Sequence, residues 1–157
     1  MLPSTVSYYR LYQLVMRYYP RSCFFTVAEK RILVVEDENS LRKAISISLK
    51  KHQYGVLMAT SADEALNALN ASGTVDAIWL DHYLLNNETG LDFLEKMKSN
   101  PEWKNIPVFV VSNSVDDKKV NAYYLMGIEK YYIKAENSLD TIIDDLNKHF
   151  NQDKNNG

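Results

Sequence analysis

Residues 32–38 read Ile-Leu-Val-Val-Glu-Asp-Glu, four apolar residues followed at once by three acidic ones. A run that is apolar on both faces is typical of a central strand in a parallel sheet, because helices cover both sides of such a strand. The following segment, residues 40–52, has a helical period, with Asn39 or Ser40 as its N-cap. A buried strand that leads directly into a helix predicts an α/β domain.

The alternation of strand and helix continues to the end of the chain. Further short apolar runs lie at residues 54–59, 75–80, 107–111 and 130–133. Segments of helical period follow them at residues 62–72, 90–99, 116–126 and 139–150. The run at 54–59 starts less apolar than the others, which predicts an edge strand. Together these units predict a five-stranded parallel sheet with helices on both faces.

Length and composition limit the classes of protein to which the chain can belong. Its 157 residues suit one well-packed domain with tails. A net charge of -2 provides no basic face for nucleic acid, so direct DNA binding is disfavoured. Cys23 is the single cysteine, which excludes an intrachain disulfide and fits a reducing cytoplasm. The tyrosine-rich stretch at residues 8–19 is interrupted by arginines and too short to span a bilayer, so we expect neither membrane insertion nor secretion.

Chemically active side chains follow four of the predicted strands. Glu36 and Asp37 follow the first strand, Asp81 the third, Ser112 the fourth and Lys134 the fifth. In open α/β sheets, ligands bind outside the carboxyl ends of the strands, near the point where the strand order reverses. The sequence therefore predicts that three carboxylates, a hydroxyl and an amine lie close together at one edge of the sheet.

Three carboxylates in one site raise one another's pKa unless a cation compensates their charge. Mg²⁺ suits a few carboxylates together with water and a phosphoryl oxygen. Such an ion would also offset the charge of an incoming phosphoryl group, and an aspartate can act as the nucleophile that forms an aspartyl phosphate. Lys134 would then pair with the transferred oxygens, and Ser112 would donate a hydrogen bond to them.

From Arg31 to about Asn151 the chain resembles a response-regulator receiver domain of two-component signalling, and is chemotaxis-regulator-like. Each motif that carries the resemblance is weak by itself, but their order and spacing together are specific. The motifs are residues 32–38, Ile78-Trp79-Leu80-Asp81, Gly90-Leu91-Asp92-Phe93-Leu94, Val110-Val111-Ser112 and Tyr131-Tyr132-Ile133-Lys134. The resemblance implies a flavodoxin-like, doubly wound five-stranded parallel sheet.

For single residues, the resemblance implies that Asp81 is the phosphoacceptor. Glu36 and Asp37 match the acidic pair that binds Mg²⁺, with Asp37 as the direct ligand and Glu36 acting through water. The backbone carbonyl of Tyr83 matches a further protein ligand of the metal. Lys134 matches the lysine of the family.

The resemblance also implies a switch that acts on protein partners. Ser112 matches the hydroxyl residue that follows the phosphoryl group on activation, and Tyr131 matches the aromatic residue that changes rotamer with it. A histidine kinase or a histidine phosphotransfer protein would donate the phosphoryl group, and the switched surface would bind a downstream protein. Homodimerisation on activation remains open. We expect a signalling switch that catalyses only its own phosphotransfer and dephosphorylation, and not an enzyme with an external substrate.

The chain departs from the family pattern at two places. Ala135 follows Lys134, where the family usually has proline in a cis peptide, and the loop after Asp81 is longer and lacks the customary proline. These departures leave open a receiver fold that signals without phosphate. An aspartyl-phosphate phosphatase would be expected to have an aspartate at position 83, which is tyrosine. A flavin-binding domain would need a phosphate-cradling loop after the first strand, where residues 36–38 are acidic.

We assign residues 1–30 to an N-terminal extension of uncertain structure, 31–151 to the receiver domain and 152–157 to a disordered tail. The residues after the last helix are too few for an output domain, so we expect a single-domain regulator. We interpret His82 as a structural or loop residue, because adjacent strand residues point to opposite faces of a sheet.

Overall fold

A computed structural model describes residues 29–153 of the chain. The strands are β1 (Arg31–Val35), β2 (Gly55–Ala59), β3 (Ala77–Leu80), β4 (Val108–Ser112) and β5 (Lys130–Ile133). The helices are α1 (Asn39–Lys51), α2 (Ala62–Ala71), α3 (Gly90–Ser99), α4 (Asp117–Leu125) and α5 (Leu139–Asp153), and a short 3₁₀ helix covers Leu85–Asn87. Strand and helix alternate throughout the described part of the chain, as the sequence predicts.

The strands form one sheet in the order β2-β1-β3-β4-β5, and every pairing in it is parallel. The flavodoxin-like doubly wound fold is therefore confirmed, and so is the prediction that the second strand lies at an edge. The chain leaves β1 in one direction toward β2 and returns on the other side to β3. The strand order thus reverses between β1 and β3, which is where such folds bind ligands.

Helices cover both faces of the sheet, because successive strand residues point to opposite sides. On one face, α1 and α5 pack over Ile32, Val34, Trp79, Phe109 and Val111. On the other face, α2, α3 and α4 pack over Leu33, Val35, Ile78, Leu80 and Val110. The two central strands β1 and β3 are almost wholly buried, which explains their uninterrupted apolar sequence.

The helix ends follow local sequence signals in most places. The Ser61 side chain accepts a hydrogen bond from the backbone N–H of Glu64 and so caps α2. The predicted N-cap of α1 at Asn39 or Ser40 is wrong. Glu38 occupies that position with extended backbone and no side-chain capping bond, and Asn39 is already helical.

Several expectations concern the backbone and the ends of the chain. No peptide bond between residues 29 and 153 is cis, so the bond between Lys134 and Ala135 is trans. No helix in the described range has both the length and the apolar character that a bilayer crossing requires. Most of the predicted N-terminal extension, with Cys23, lies outside the described residues, as do residues 154–157 of the predicted tail.

Candidate functional site

Three acidic side chains meet at the carboxyl ends of β1 and β3, where the strand order reverses. Glu36 and Asp37 directly follow β1, and Asp81 directly follows β3. Each offers a carboxylate oxygen, and these oxygens all lie within 4.8 Å of one another. Glu36 and Asp81 are buried, whereas Asp37 is half-buried. The carboxylate cluster predicted from the sequence is therefore present.

Hydrogen bonds from the Asp81 amide and from the Arg42 side chain to backbone carbonyls hold the three acidic residues in place. The N–H of Asp81 donates to the carbonyl of Val35 at 2.9 Å, so the pairing of β1 and β3 continues one residue past β3. Arg42 on α1 donates from Nη1 to the carbonyls of Glu36 at 2.8 Å and Asp37 at 3.0 Å. The first helix thereby fastens the acidic loop that precedes it.

Lys134 brings the fifth strand to the same site. Its Nζ lies 2.9 Å from Oε2 of Glu36 and 2.7 Å from Oδ2 of Asp81, and its backbone N–H donates to the carbonyl of Ser112 at 2.9 Å. Burial by itself would lower the pKa of this ammonium. The hydrogen bonds to Asp81 and Glu36 outweigh that effect and raise the pKa of Lys134, so the side chain carries its full charge at neutral pH.

The charge balance of the site favours an additional cation. Burial, followed by the nearby charge of Asp81, raises the pKa of Glu36 to about 6, although the hydrogen bond from Lys134 acts in the opposite direction. The single ammonium of Lys134 thus does not fully stabilise the ionised form of Glu36 beside Asp81. A hard divalent cation fits this set of carboxylate oxygens, because it would supply the missing charge and accept oxygen ligands.

The loop after Asp81 is held by a bridge between its two ends. Tyr83 forms an isolated antiparallel bridge with Thr89, and its side chain is 55% exposed. Asn86 and Asn87 have positive φ angles of 66° and 58°, which asparagine tolerates better than most residues. The role of the Tyr83 carbonyl as a metal ligand stays a prediction.

Ser112 and Tyr131 lie on the neighbouring strands β4 and β5, where Tyr131 pairs with Val110 and Ser112 pairs with Ile133. Ser112 is fully buried, and its Oγ accepts a hydrogen bond from the N–H of Ser114 at 3.2 Å. The hydroxyl of half-buried Tyr131 donates to the carbonyl of the same Ser114 at 2.9 Å. Both residues therefore contact the segment that joins β4 to α4, and their roles in switching stay predictions.

His82 is buried beside Asp81 and is bonded both to that residue and to α4. Its backbone N–H donates to Oδ1 of Asp81 at 2.6 Å, and its Nδ1 lies 2.8 Å from the hydroxyl of Tyr123 on α4. Burial, and then the charge of Lys119, lower the pKa of the imidazole and so favour the neutral form of His82.

Sequence patterns do not identify Tyr123 as part of this site. It is the buried side chain of α4, with 0% exposure. The helix has Tyr123, Tyr124 and Leu125 in succession, so its apolar residues do not mark one face clearly. The only available signal is the spacing of Val120 and Tyr123, which lie three residues apart and so on one side of the helix.

Comparison with known proteins agrees with this geometry. Residues 32–147 match the family model described as response regulator receiver domain. The two-component response regulator ORR3 of Oryza sativa subsp. indica is 31% identical over 106 residues, which are 68% of this chain and 80% of the relative. The 3',5'-cyclic-nucleotide phosphodiesterase regA of Dictyostelium discoideum is 25% identical over 129 residues, which are 78% of this chain but only 16% of regA.

Solved structures resemble the chain over a similar range. The phosphorylated cyanobacterial phytochrome response regulator RcpA is 29% identical, with a TM-score of 0.63 over 68% of this chain and 81% of its own. The Mn²⁺-bound form of response regulator Rcp1 is 28% identical, with a TM-score of 0.63 over 71% of this chain and 86% of its own.

Proposed function

The chain belongs to the response regulator receiver domain family, and from this premise we propose that Asp81 accepts a phosphoryl group from a histidine kinase or a histidine phosphotransfer protein. The observation that carries the proposal is the setting of the Asp81 carboxylate. It is buried, it is bound by the ammonium of Lys134 at 2.7 Å, and it lies in one cluster with Glu36 and Asp37.

In the proposed reaction, a carboxylate oxygen of Asp81 attacks the phosphorus of a phosphohistidine. The O–P bond forms as the N–P bond breaks, and the donor imidazole leaves with the electron pair of that bond and takes up a proton. Lys134 stabilises the negative charge of the transferred oxygens, because its ammonium is already at the carboxylate. Positioning and charge stabilisation of this kind are the main contributions that a protein makes to phosphoryl transfer.

We propose that Mg²⁺ is the cofactor, held by Asp37 and Asp81 directly, by Glu36 through water and by the backbone carbonyl of Tyr83. When bound, the ion supplies the positive charge that offsets the incoming phosphoryl group. The raised pKa of Glu36 supports this assignment, because the described residues do not by themselves favour ionised Glu36. The related response regulator Rcp1 has a solved Mn²⁺-bound form, which supports a divalent cation as a ligand of this chain.

The proposed output is a change of a protein-binding surface around β4, α4 and α5. Ser112 would move to donate a hydrogen bond to the phosphoryl group, and Tyr131 would follow it. The contact of both side chains with Ser114 supports this coupling. The chain would then act as a phosphorylated switch and not as an enzyme, in the cytoplasm, with a downstream protein as its target. A homodimer formed on activation is one way in which such a surface could be used.

The decisive experiment is intact-protein mass spectrometry after incubation with acetyl phosphate and Mg²⁺. We expect a labile gain of one phosphoryl group in the wild type, lost with a chelator and in Asp81→Asn. Asp63→Asn is the matched control, because Asp63 is an exposed aspartate on α2, and it should keep the gain. If the wild type shows neither the gain nor Mg²⁺ binding, the chain is instead a receiver fold that signals without phosphate.

A further inference from the structure

We propose that the hydrogen bond between His82 and Tyr123 transmits the phosphorylation state of Asp81 to helix α4, which makes both residues positioning residues of the switch. This inference rests on the function proposed above and concerns the regulation of the same site. Its starting observation is that one residue, His82, binds Asp81 through its backbone and α4 through its side chain.

The strand geometry explains why His82 can contact both parts. Side chains alternate across a strand, so Asp81 and His82 point to opposite faces of the sheet. The imidazole therefore joins the layer covered by α2, α3 and α4, where Leu80 and Tyr123 also lie. The amide of the same residue remains at the edge of the sheet and donates to Oδ1 of Asp81 at 2.6 Å. A change in the charge or position of that oxygen therefore alters a hydrogen bond of His82.

The packing around Tyr123 leaves its hydroxyl little freedom. A Cβ atom added at Gly90 would lie 2.6 Å from this hydroxyl and 2.5 Å from the carbonyl oxygen of Asp81. The N–H of Gly90 donates to the carbonyl of His82 at 2.8 Å. The backbone after Asp81, the start of α3 and the last turn of α4 thus meet at one tightly packed point, so His82 cannot shift without a response from Tyr123.

Tyr123 also contacts the second residue of the expected switch. Its ring centroid lies 5.6 Å from that of Tyr131 and 5.8 Å from the His82 imidazole. The rings of His82, Tyr123 and Tyr131 therefore form a continuous row between the end of β3, α4 and β5. A structural change at Asp81 can reach Tyr131 through these three rings, in addition to the route through Ser112.

Phosphorylation alters the group that His82 binds. One oxygen of Asp81 becomes the bridging oxygen of an acyl phosphate, and new negative charge arrives next to the His82 amide. The amide must then bind a different oxygen or a weaker acceptor, and the imidazole moves with it. Because packed interiors shift between discrete arrangements and do not deform gradually, α4 adjusts through the bond to Tyr123.

The test is hydrogen exchange of the amides of α4, residues 117–125, measured with and without phosphorylation of Asp81. Tyr123→Phe removes only the hydroxyl and keeps the ring packing. Tyr54→Phe is the matched control, because it removes a tyrosine hydroxyl bonded to Asn147, and Asn147 lies on α5 at the opposite face. The phosphorylated fraction of each sample is measured by mass in the same tubes.

We expect phosphorylation to change the exchange rates of α4 by about fivefold in the wild type and in Tyr54→Phe, the factor that corresponds to one hydrogen bond. In Tyr123→Phe the ratio of the two rates should be clearly smaller at the same phosphorylated fraction, because only the route through Ser112 remains. His82→Leu should have the same effect, and combining it with Tyr123→Phe should add nothing, because both changes remove one bond.

Three results would overturn the inference in distinguishable ways. A phosphorylated Tyr123→Phe protein that keeps the wild-type ratio would show that the signal travels through Ser112 and Tyr131 alone. Faster exchange of α4 by the same factor in both states, with the ratio unchanged, would show that the bond only stabilises the helix. A wild type that takes up no phosphoryl group would remove the proposed function and this inference with it.

Discussion

At the scale of single residues, the site is a balance between burial and charge. Glu36 is 1% exposed and Asp81 5% exposed, yet both carboxylates face the same ammonium. Burying ionised groups is unfavourable unless they are paired, and one lysine pairs with two acids here. The incomplete compensation of the two negative charges appears as the raised pKa of Glu36.

The pKa of Glu36 predicts how stability depends on pH in the absence of a metal. Its pKa is raised from 4.5 to about 6 in the folded chain, so the folded state binds a proton before the unfolded state does as the pH falls. Glu36 therefore destabilises the fold above pH 6, and this loss is recovered as the pH falls toward 4.5. Between pH 7.5 and 5, the free energy of unfolding of the wild type should rise by about 1 kcal/mol relative to Glu36→Gln.

Urea unfolding in a chelator at the two pH values measures this difference. Glu64→Gln is the control, because the hydrogen bonds from Thr60 lower the pKa of exposed Glu64 and so give no gain on acidification. An unchanged difference between the wild type and Glu36→Gln would mean that Glu36 ionises normally and that the site carries its charge without strain.

At the scale of elements, the start of α3 helps to hold the loop that follows Asp81. Thr89 and Asp92 form a reciprocal capping box, in which each side chain accepts a hydrogen bond from the backbone N–H of the other residue. Gly90, the first residue of the helix, packs against the backbone of Asp81 with no space for a side chain. The start of α3 thus helps to fix the position of the Asp81 backbone at the end of β3.

Gly90→Ala should disturb the acceptor itself. The added methyl group would lie 2.5 Å from the carbonyl oxygen of Asp81, so the backbone must shift, at a cost of about 1–3 kcal/mol in the free energy of unfolding. We expect the rate of phosphorylation by acetyl phosphate to fall as well, because Asp81 moves away from Lys134. Thermal unfolding and timed mass measurements check the two effects.

Gly127→Ala provides the comparison for this experiment. Its φ of 74° is unfavourable for alanine, but no atom lies within 4 Å of the added methyl group. It should lower stability by about 1 kcal/mol, because a residue with a Cβ is strained in the left-handed region, and leave the rate of phosphorylation unchanged. Equal rates in Gly90→Ala and the wild type would contradict the role assigned to Gly90.

At the scale of the whole molecule, the acidic cluster links ligand binding to folding. Glu36 and Asp37 lie far along the chain from Asp81 and meet it only when β1 and β3 pair. A metal that binds them binds the folded state and not the unfolded one. Its binding free energy therefore adds to the stability of the entire sheet.

Mg²⁺ should raise the free energy of unfolding by about 1.4 kcal/mol when its free concentration is about ten times the dissociation constant. The increase should disappear in Asp37→Asn, which removes the expected direct ligand. Sodium chloride of equal ionic strength controls for general screening. A rise of the same size with sodium chloride, or in Asp37→Asn, would show that the cluster does not hold a specific divalent ion.

The sequence by itself determined the order of the elements, the parallel sheet and the residues at the strand ends. These properties follow from local patterns: uninterrupted apolar runs, helical periods and the polar residue that follows each run. Because parallel strands end at one edge, the meeting of Glu36, Asp37, Asp81 and Lys134 follows from the same patterns. The match of so many motifs in one order also identified the family.

Only the tertiary structure decided the contacts that join distant elements. Arg42 binds the carbonyls of the acidic loop, Tyr123 reaches His82, and Gly90 closes on Asp81. None of these has a sequence pattern, because each depends on which side chain of a helix faces the sheet and how closely two backbones approach. The N-cap of α1 was mispredicted for a similar reason: the backbone at Glu38 is still extended, and neither it nor Asn39 reveals this by residue type.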